Sequence, residues 1–249
     1  MNKEKILKYW NSRAKNKVLK CTNDINLEKN EIKYFLSSIK KKKSVLDIGC
    51  GDGELLRNLK KKNECNCYGI DFSSNLINVA KKKSKNINYF CLDMNKIKYE
   101  FKKNIKFDYI VTKRSIQNLT SWDNQKKFID QLKLFSGTKT KILLMESSND
   151  GLKKINSARN NLGLKKITKP WHNLYLDDAK IRKTNFKGLK LVNITELFST
   201  YYFTSRVLNA TINQKPKYND LLNLTGWKLS QNLIEGFSQL RLYEFKFKN

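Results

Sequence analysis

The stretch Val45-Leu46-Asp47-Ile48-Gly49-Cys50-Gly51-Asp52-Gly53-Glu54-Leu55-Leu56 decides the fold. It opens as an apolar β-type run, places glycine on three alternate positions and resumes with helix-favouring residues, so it reads as strand, tight loop and helix N-terminus. Without Cβ atoms the loop can turn sharply and bring its backbone N–H groups close to a ligand, while the following helix offers its positive end. That shape binds nucleotides.

The next apolar run, Cys67-Tyr68-Gly69-Ile70, ends in Asp71, which lies 20 residues after Gly51. At that distance a carboxylate on the second strand of a βαβ unit accepts the hydroxyls of a ribose. A nicotinamide dinucleotide requires Gly-x-Gly-x-x-Gly. Here residue 54 is Glu and the further glycine arrives one step early, at Gly53. Asp47, two residues before the first glycine, also lies outside that fingerprint.

Val45-Leu46-Asp47-Ile48-Gly49-Cys50-Gly51-Asp52-Gly53 followed by Tyr68-Gly69-Ile70-Asp71-Phe72-Ser73 resembles the class I S-adenosylmethionine-dependent methyltransferases. The resemblance implies a methyltransferase with S-adenosylmethionine as cofactor. It assigns Asp47, Gly49, Cys50 and Gly51 to the loop under the methionine part, and Asp71 with Phe72 to the ribose end. Asp93 and Met94, directly after the third strand, are implied to contact the adenine, Asp93 by accepting from the exocyclic amine. Lys113, in the turn after the fourth strand, completes the cofactor set.

From Ser44 the pattern alternates strand and helix, which argues an α/β fold: a doubly wound, mostly parallel seven-stranded sheet. Strands are expected at 44–48, 66–71, 87–92, 107–112, 141–146, 189–195 and 239–247. With 249 residues the chain reads as one domain, 44–249, behind a helical cap at 1–43, with an acceptor-side insertion at about 147–188. In the cap, Ile6, Leu7, Trp10 and Ala14 share a helical stripe, and a second helix is expected at 26–39. Tyr9-Trp10-Asn11-Ser12-Arg13 resembles the leading helix that covers the cofactor in the family. This implies that Tyr9 and Arg13 reach the cofactor, Arg13 by pairing with the methionine carboxylate. Ordinary helix packing and solvation is the competing reading of both.

Open α/β sheets bind ligands beyond the carboxyl ends of their strands, so the turn Lys113-Arg114-Ser115-Ile116-Gln117-Asn118-Leu119 should face the transferred methyl group, with Arg114 on the acceptor. The turn is not Asn-Pro-Pro-Tyr, and the chain has no Pro-Cys pair, which argues against methylation of nucleobases. In the insertion, Leu152, Ile155, Ala158 and Leu162 form a helical stripe. After it comes Lys169-Pro170-Trp171-His172-Asn173-Leu174-Tyr175-Leu176-Asp177-Asp178, with Trp171, His172 and Tyr175 as acceptor-pocket candidates. The alternative is a loop pinned by buried aromatics, with Asp177 capping the next helix. His172, the one histidine, is the natural general base for a hydroxyl acceptor; a structural histidine is the other reading.

The net charge of +29 admits an anionic partner, such as nucleic acid, or a compositional excess of lysine. Lysine outnumbering arginine, with runs at 40–43, 60–62 and 81–83 near helix ends, favours the second. The five cysteines, at 21, 50, 65, 67 and 91, are an odd number and read as reduced. Cys65-Asn66-Cys67 is too short for a zinc site, so no metal is expected. No apolar run approaches a membrane span and Met1-Asn2-Lys3-Glu4-Lys5 lacks a secretory hydrophobic stretch, so a soluble, cytoplasmic protein is expected. Lys113 to Leu119 together with the Pro170 to Asp177 stretch resembles small bacterial-type methyltransferases, some acting on saccharide or nucleotide-sugar precursors. A small polar acceptor is therefore the expectation, with RNA, or a non-catalytic cofactor-binding scaffold, as the alternatives.

Overall fold

The computed structural model describes residues 3–15, 22–101, 105–213, 215–229 and 233–248. In chain order the elements are α1 (Lys3–Lys15), α2 (Ile25–Ser38), β1 (Ser44–Ile48), α3 (Glu54–Asn63), β2 (Asn66–Asp71), α4 (Ser74–Lys83), β3 (Asn88–Cys91), α5 (Ile97–Glu100), β4 (Tyr109–Lys113), α6 (Trp122–Gln131), β5 (Lys141–Ser147), α7 (Asn149–Asn161), α8 (Asp178–Lys183), β6 (Leu189–Glu196), α9 (Ser199–Phe203), α10 (Asn209–Ile212), α11 (Leu221–Lys228) and β7 (Leu240–Phe247). The seven strands form one sheet in the order β3-β2-β1-β4-β5-β7-β6. β1 to β5 pair in parallel, and β7 runs antiparallel to both β5 and β6.

The central strands read as continuous apolar runs because both faces of the sheet are covered. Side chains alternate across a strand, so Val45, Tyr109, Val111, Leu143 and Met145 join one core with Phe35, Leu56, Leu59, Ile77 and Tyr201. Leu46, Ile48, Ile110, Ile142 and Leu144 join the other, with Phe128, Ile129, Leu132, Ile181 and Phe245. Helix starts are fixed by side chains that accept from orphan backbone N–H groups. Asp24 caps α2, Ser73 α4, Ser121 α6 and Ser148 α7, and Asp177 caps α8 as the sequence suggests. The lysine runs 60–62 and 81–83 occupy the last turns of α3 and α4.

Several expectations are adjusted. Within the N-terminal helical segment, Leu27 and Phe35 of α2, with Ile39 at its end, are part of the first core. The fourth strand runs later than expected, to Lys113, so the functional turn begins at Arg114. Leu162 lies past the end of α7 and is 51% exposed, so it leaves the helical stripe. Between the sixth and seventh strands, where the sequence predicts no element, the chain forms α9, a π-helical turn at Thr204–Leu208, α10 and α11. Cys21 lies outside the described residues, and the other four cysteines form no disulfide. Among the described residues no helix is long and apolar enough to cross a membrane.

Candidate functional site

At the end of β1, Gly49, Gly51 and Gly53 all hold positive φ, at 80°, 56° and 77°. A Cβ on Gly49 would sit 2.2 Å from Cβ of Ser115, so the loop passes directly against the turn after β4. The Gly49 and Cys50 N–H groups donate to the Ile70 carbonyl at 2.7 and 3.0 Å. Gly51 N–H donates to Asp71 Oδ2 and Ser73 N–H to Asp71 Oδ1, both at 2.9 Å. Asp71 thus ties the loop to the end of β2, while its carboxylate retains acceptor capacity for a ligand. Burial pushes its pKa up to about 6 against these backbone donors.

Gly49, Cys50, Gly51, Asp71, Phe72, Met94, Lys113 and Arg114 line one cavity. Its walls differ in character: Ile70, Phe72, Leu92 and Met94 make an apolar end, and Glu28, Lys113 and Arg114 a charged one. Lys113 Nζ lies 3.3 Å from Glu28 Oε1 and 3.6 Å from Glu31 Oε2, and Arg114 Nε lies 2.8 Å from Glu31 Oε1. Arg114 has a φ of 55°, a conformation that costs a side-chain-bearing residue energy and is held here by the ion pair. Asp47 does not line this cavity. It is buried in β1 with Oδ1 unpartnered, and burial pushes its pKa up to about 7, with Lys113 pulling down and Asp71 pushing up.

Asp93 lines an adjoining recess with Phe72 and Met94. Its Oδ1 accepts from Asn95 N–H at 2.9 Å, and its Oδ2 is paired with Lys3. Lys3 belongs to α1, which crosses the carboxyl ends of three strands. Trp10 Nε1 donates to Asn118 Oδ1 at 3.1 Å, beyond β4. Ser73 Oγ donates to Asn11 Oδ1 at 2.6 Å and Asn75 Nδ2 to the Asn11 carbonyl at 3.2 Å, beyond β2.

Tyr9, Arg13, His172 and Tyr175 come together in a second cavity, which shares Trp10, Arg114 and Gln117 with the first. Tyr9 and Arg13 therefore stand on the far side of Trp10 from the glycine loop, and the charged end of the first cavity is made by Lys113, Arg114 and Glu28 instead. Arg13 Nη2 donates to Asn23 Oδ1 at 2.9 Å. The His172 ring lies 4.4 Å from that of Tyr9, tilted by 32°, and meets Trp10 edge-on at 5.8 Å. Burial and the nearby Arg13 guanidinium hold its pKa below the usual histidine value, so the imidazole is neutral at pH 7. Trp171 is 47% exposed and packs edge-on against Tyr9 and His172 from outside the lining.

The loop at 170–177 is pinned as well as pocket-forming. Leu174 N–H donates to the Gln117 carbonyl at 2.6 Å, Leu176 N–H to the Ser147 carbonyl at 3.0 Å, and Gln125 Nε2 to the Leu174 carbonyl at 2.7 Å. Sequence reasoning missed Glu146, at the end of β5. It is wholly buried, and its Oε1 accepts from Thr112 Oγ1 at 2.8 Å, Ser115 N–H at 3.0 Å and Ile116 N–H at 3.1 Å. A carboxylate closing the apolar run Ile142 to Met145 was the available signal. Glu28 and Glu31 were also missed, and Gln117 was named only as part of the turn 113–119.

Residues 45–135 match the family model of a methyltransferase domain. No curated protein sequence matches the chain. Among solved structures, the N-methyltransferase NodS from Bradyrhizobium japonicum, in complex with S-adenosyl-L-homocysteine, is 14% identical with a TM-score of 0.59, covering 100% of both chains. A TehB-like S-adenosylmethionine-dependent methyltransferase from Corynebacterium glutamicum is 15% identical, with a TM-score of 0.57 over 99% of this chain and 98% of that one. Magnesium protoporphyrin IX methyltransferase from Synechocystis with bound S-adenosylmethionine is 13% identical, with a TM-score of 0.56 over 99% and 97%. These likenesses are likenesses of fold.

Proposed function

We propose that this chain, a methyltransferase by its domain and its fold, transfers the sulfonium methyl group of S-adenosylmethionine to a small polar acceptor, a saccharide or nucleotide-linked sugar, in the second cavity. The observation that carries this reading is the shared wall: Trp10, Arg114 and Gln117 line both cavities, so a donor in one and an acceptor in the other meet across them.

The residues present fit the cofactor. Gly49, Cys50 and Gly51 line the first cavity with loop backbone, and Ser115 packs so closely on Gly49 that no Cβ fits there. Phe72, Leu92 and Met94 suit an adenine face, and Asp71 offers lone pairs to ribose hydroxyls. Glu28 and Lys113 match the ammonium and carboxylate of a methionine end. When bound, the cofactor supplies an electrophilic methyl group whose carbon–sulfur electrons return to sulfur.

The chain's own work is then alignment and proton removal in a largely buried site. Glu146 fixes the turn at 115–117, the turn fixes Gln117, and the Gln117 carbonyl holds the loop that carries His172. Neutral His172 takes the proton of an acceptor hydroxyl, which an unactivated oxygen nucleophile must lose. His172→Ala is expected to lower turnover by roughly 10²–10⁴-fold with S-adenosylmethionine affinity unchanged; equal turnover in the two proteins removes His172 as the base. Radiolabelled methyl transfer, assayed in parallel on nucleotide-linked sugars and on RNA, tests the acceptor. Label in RNA alone would replace the small-molecule reading, and binding of cofactor with no transfer to any acceptor would favour a scaffold.

A further inference from the structure

Three residues that line the second cavity each carry a buried side-chain acceptor with no hydrogen-bond partner. Gln117 Oε1, His172 Nδ1 and Asn173 Oδ1 are buried and have no hydrogen-bond partner, and all three residues line this cavity. The wall is continuous, because Leu174 N–H, next to Asn173, donates to the Gln117 carbonyl at 2.6 Å. Native structures pair nearly all their buried polar atoms, so three unpaired atoms on one wall call for an explanation. Two are oxygens that can only accept, and neutral His172 accepts at Nδ1 when Nε2 carries its proton. A ligand that satisfies this wall brings several O–H or N–H groups on adjacent atoms.

The charges choose between oxygen and nitrogen. The tyrosine rings lining the cavity already face cations of the chain itself: Arg13 lies 5.9 Å from the Tyr9 centroid, Lys169 5.9 Å from Tyr175, and Arg206 5.7 Å from Tyr202 and 5.2 Å from Tyr218. Among the described lining residues the one carboxylate is Asp24, which is spent on Arg206 at 2.6 Å, Tyr201 Oη at 2.7 Å and Leu27 N–H at 3.0 Å. A protonated amine would find its aromatic faces taken and no carboxylate to pair with. Neutral hydroxyls carry no such penalty, and the surrounding guanidiniums favour a ligand with an anionic substituent.

Resting on the methyltransferase reading, we infer that Gln117, His172 and Asn173 form a hydroxyl-reading wall that selects a ring with neighbouring hydroxyl groups and an anionic substituent, and directs methylation to oxygen. The step balances within that assignment. The acceptor O–CH₃ bond forms as the S–CH₃ bond breaks, the S–C electron pair stays on sulfur, and the hydroxyl proton goes to His172.

The test uses the full chain saturated with S-adenosylhomocysteine. Binding of UDP-glucose, GDP-mannose and dTDP-rhamnose is followed by saturation-transfer NMR, and methyl transfer from S-adenosylmethionine to the same sugars and to UDP-glucosamine is mapped by mass spectrometry. At least one hydroxyl sugar should bind and gain an O-methyl group. Gln117→Leu and Asn173→Leu should each weaken that sugar about tenfold or more, as expected when a buried hydrogen bond is removed, while in Asn173→Leu, whose side chain lies outside the cofactor cavity, S-adenosylhomocysteine affinity, the control for folding, stays within about twofold. Normal S-adenosylhomocysteine binding with no response from any hydroxyl sugar, methyl found on the amine of UDP-glucosamine, or wild-type sugar affinity in both leucine variants would overturn the wall. Loss of S-adenosylhomocysteine binding by the wild-type protein would instead overturn the methyltransferase reading beneath it.

Discussion

Gly49 has no room for a side chain: its φ is 80° and a Cβ would stand 2.2 Å from Cβ of Ser115. Gly49→Ala is expected to destabilise the protein by about 2–5 kcal/mol, from left-handed strain and overpacking together. Adding Ser115→Gly should recover the steric part and leave the strain, which a denaturant series on the two variants would measure. Glu146→Gln makes a second residue-scale case. A neutral amide accepts less strongly from the Ser115 and Ile116 N–H groups, so the turn loosens. Turnover should fall about tenfold with cofactor affinity little changed; a loss confined to cofactor affinity would relocate its role. These residues differ in how far the sequence exposed them. Gly49, Gly51 and Asp71 are legible because loop conformation and strand-end position are local properties. Glu28 and Glu31 matter through contacts with segments far along the chain, which spacing cannot reveal.

At the scale of elements, the strands were readable because both sheet faces are buried, which leaves runs such as Val45 to Ile48 and Ile142 to Met145 without polar interruption beyond Asp47. The helices after Phe198 were not, because their aromatic and polar residues carry no clean period and take their form from packing against α2 and one another. α1 is legible as a helix but not as a strap. Among its residues 3–14 only Ile6 is buried, at 2% exposure, so polar contacts to Ser73, Asn75, Asp93 and Asn118 supply much of its attachment. Trp10→Ala removes the Asn118 bond and a shared wall of both cavities. It is expected to raise the S-adenosylmethionine off-rate by about tenfold in stopped-flow fluorescence while the melting temperature moves by only a few degrees. An unchanged off-rate would mean that α1 does not retain the cofactor.

Over the whole molecule, three buried carboxylates stand at the carboxyl edge of the sheet. Burial pushes Asp71 up to about 6 and Asp47 and Glu146 up to about 7. A folded state that holds protons more tightly than the unfolded chain loses stability as pH rises. The contribution of these groups is full below about pH 4, their unfolded range, and is lost as pH passes through 6 to 7. Asp52 and Asp108, held low by Lys83 and by Ser44 and Lys43, act in the opposite sense only below that range. The melting temperature of the ligand-free protein should therefore fall between pH 5 and pH 8 in differential scanning fluorimetry; a rise across that interval would contradict the assignment. The net charge of +29 predicts retention on RNA that fades steeply with salt, without methyl transfer to the RNA.

The central claim is that the glycine loop and Asp71 hold S-adenosylmethionine. Calorimetric titration of S-adenosylmethionine and S-adenosylhomocysteine into the wild-type protein, Gly51→Arg and Asp71→Ala tests it most directly. The account predicts one site per chain in the wild type, abolished by Gly51→Arg and weakened at least tenfold by Asp71→Ala. Wild-type heats equal to those of dilution for both ligands, or unaltered binding in the two variants, would contradict it.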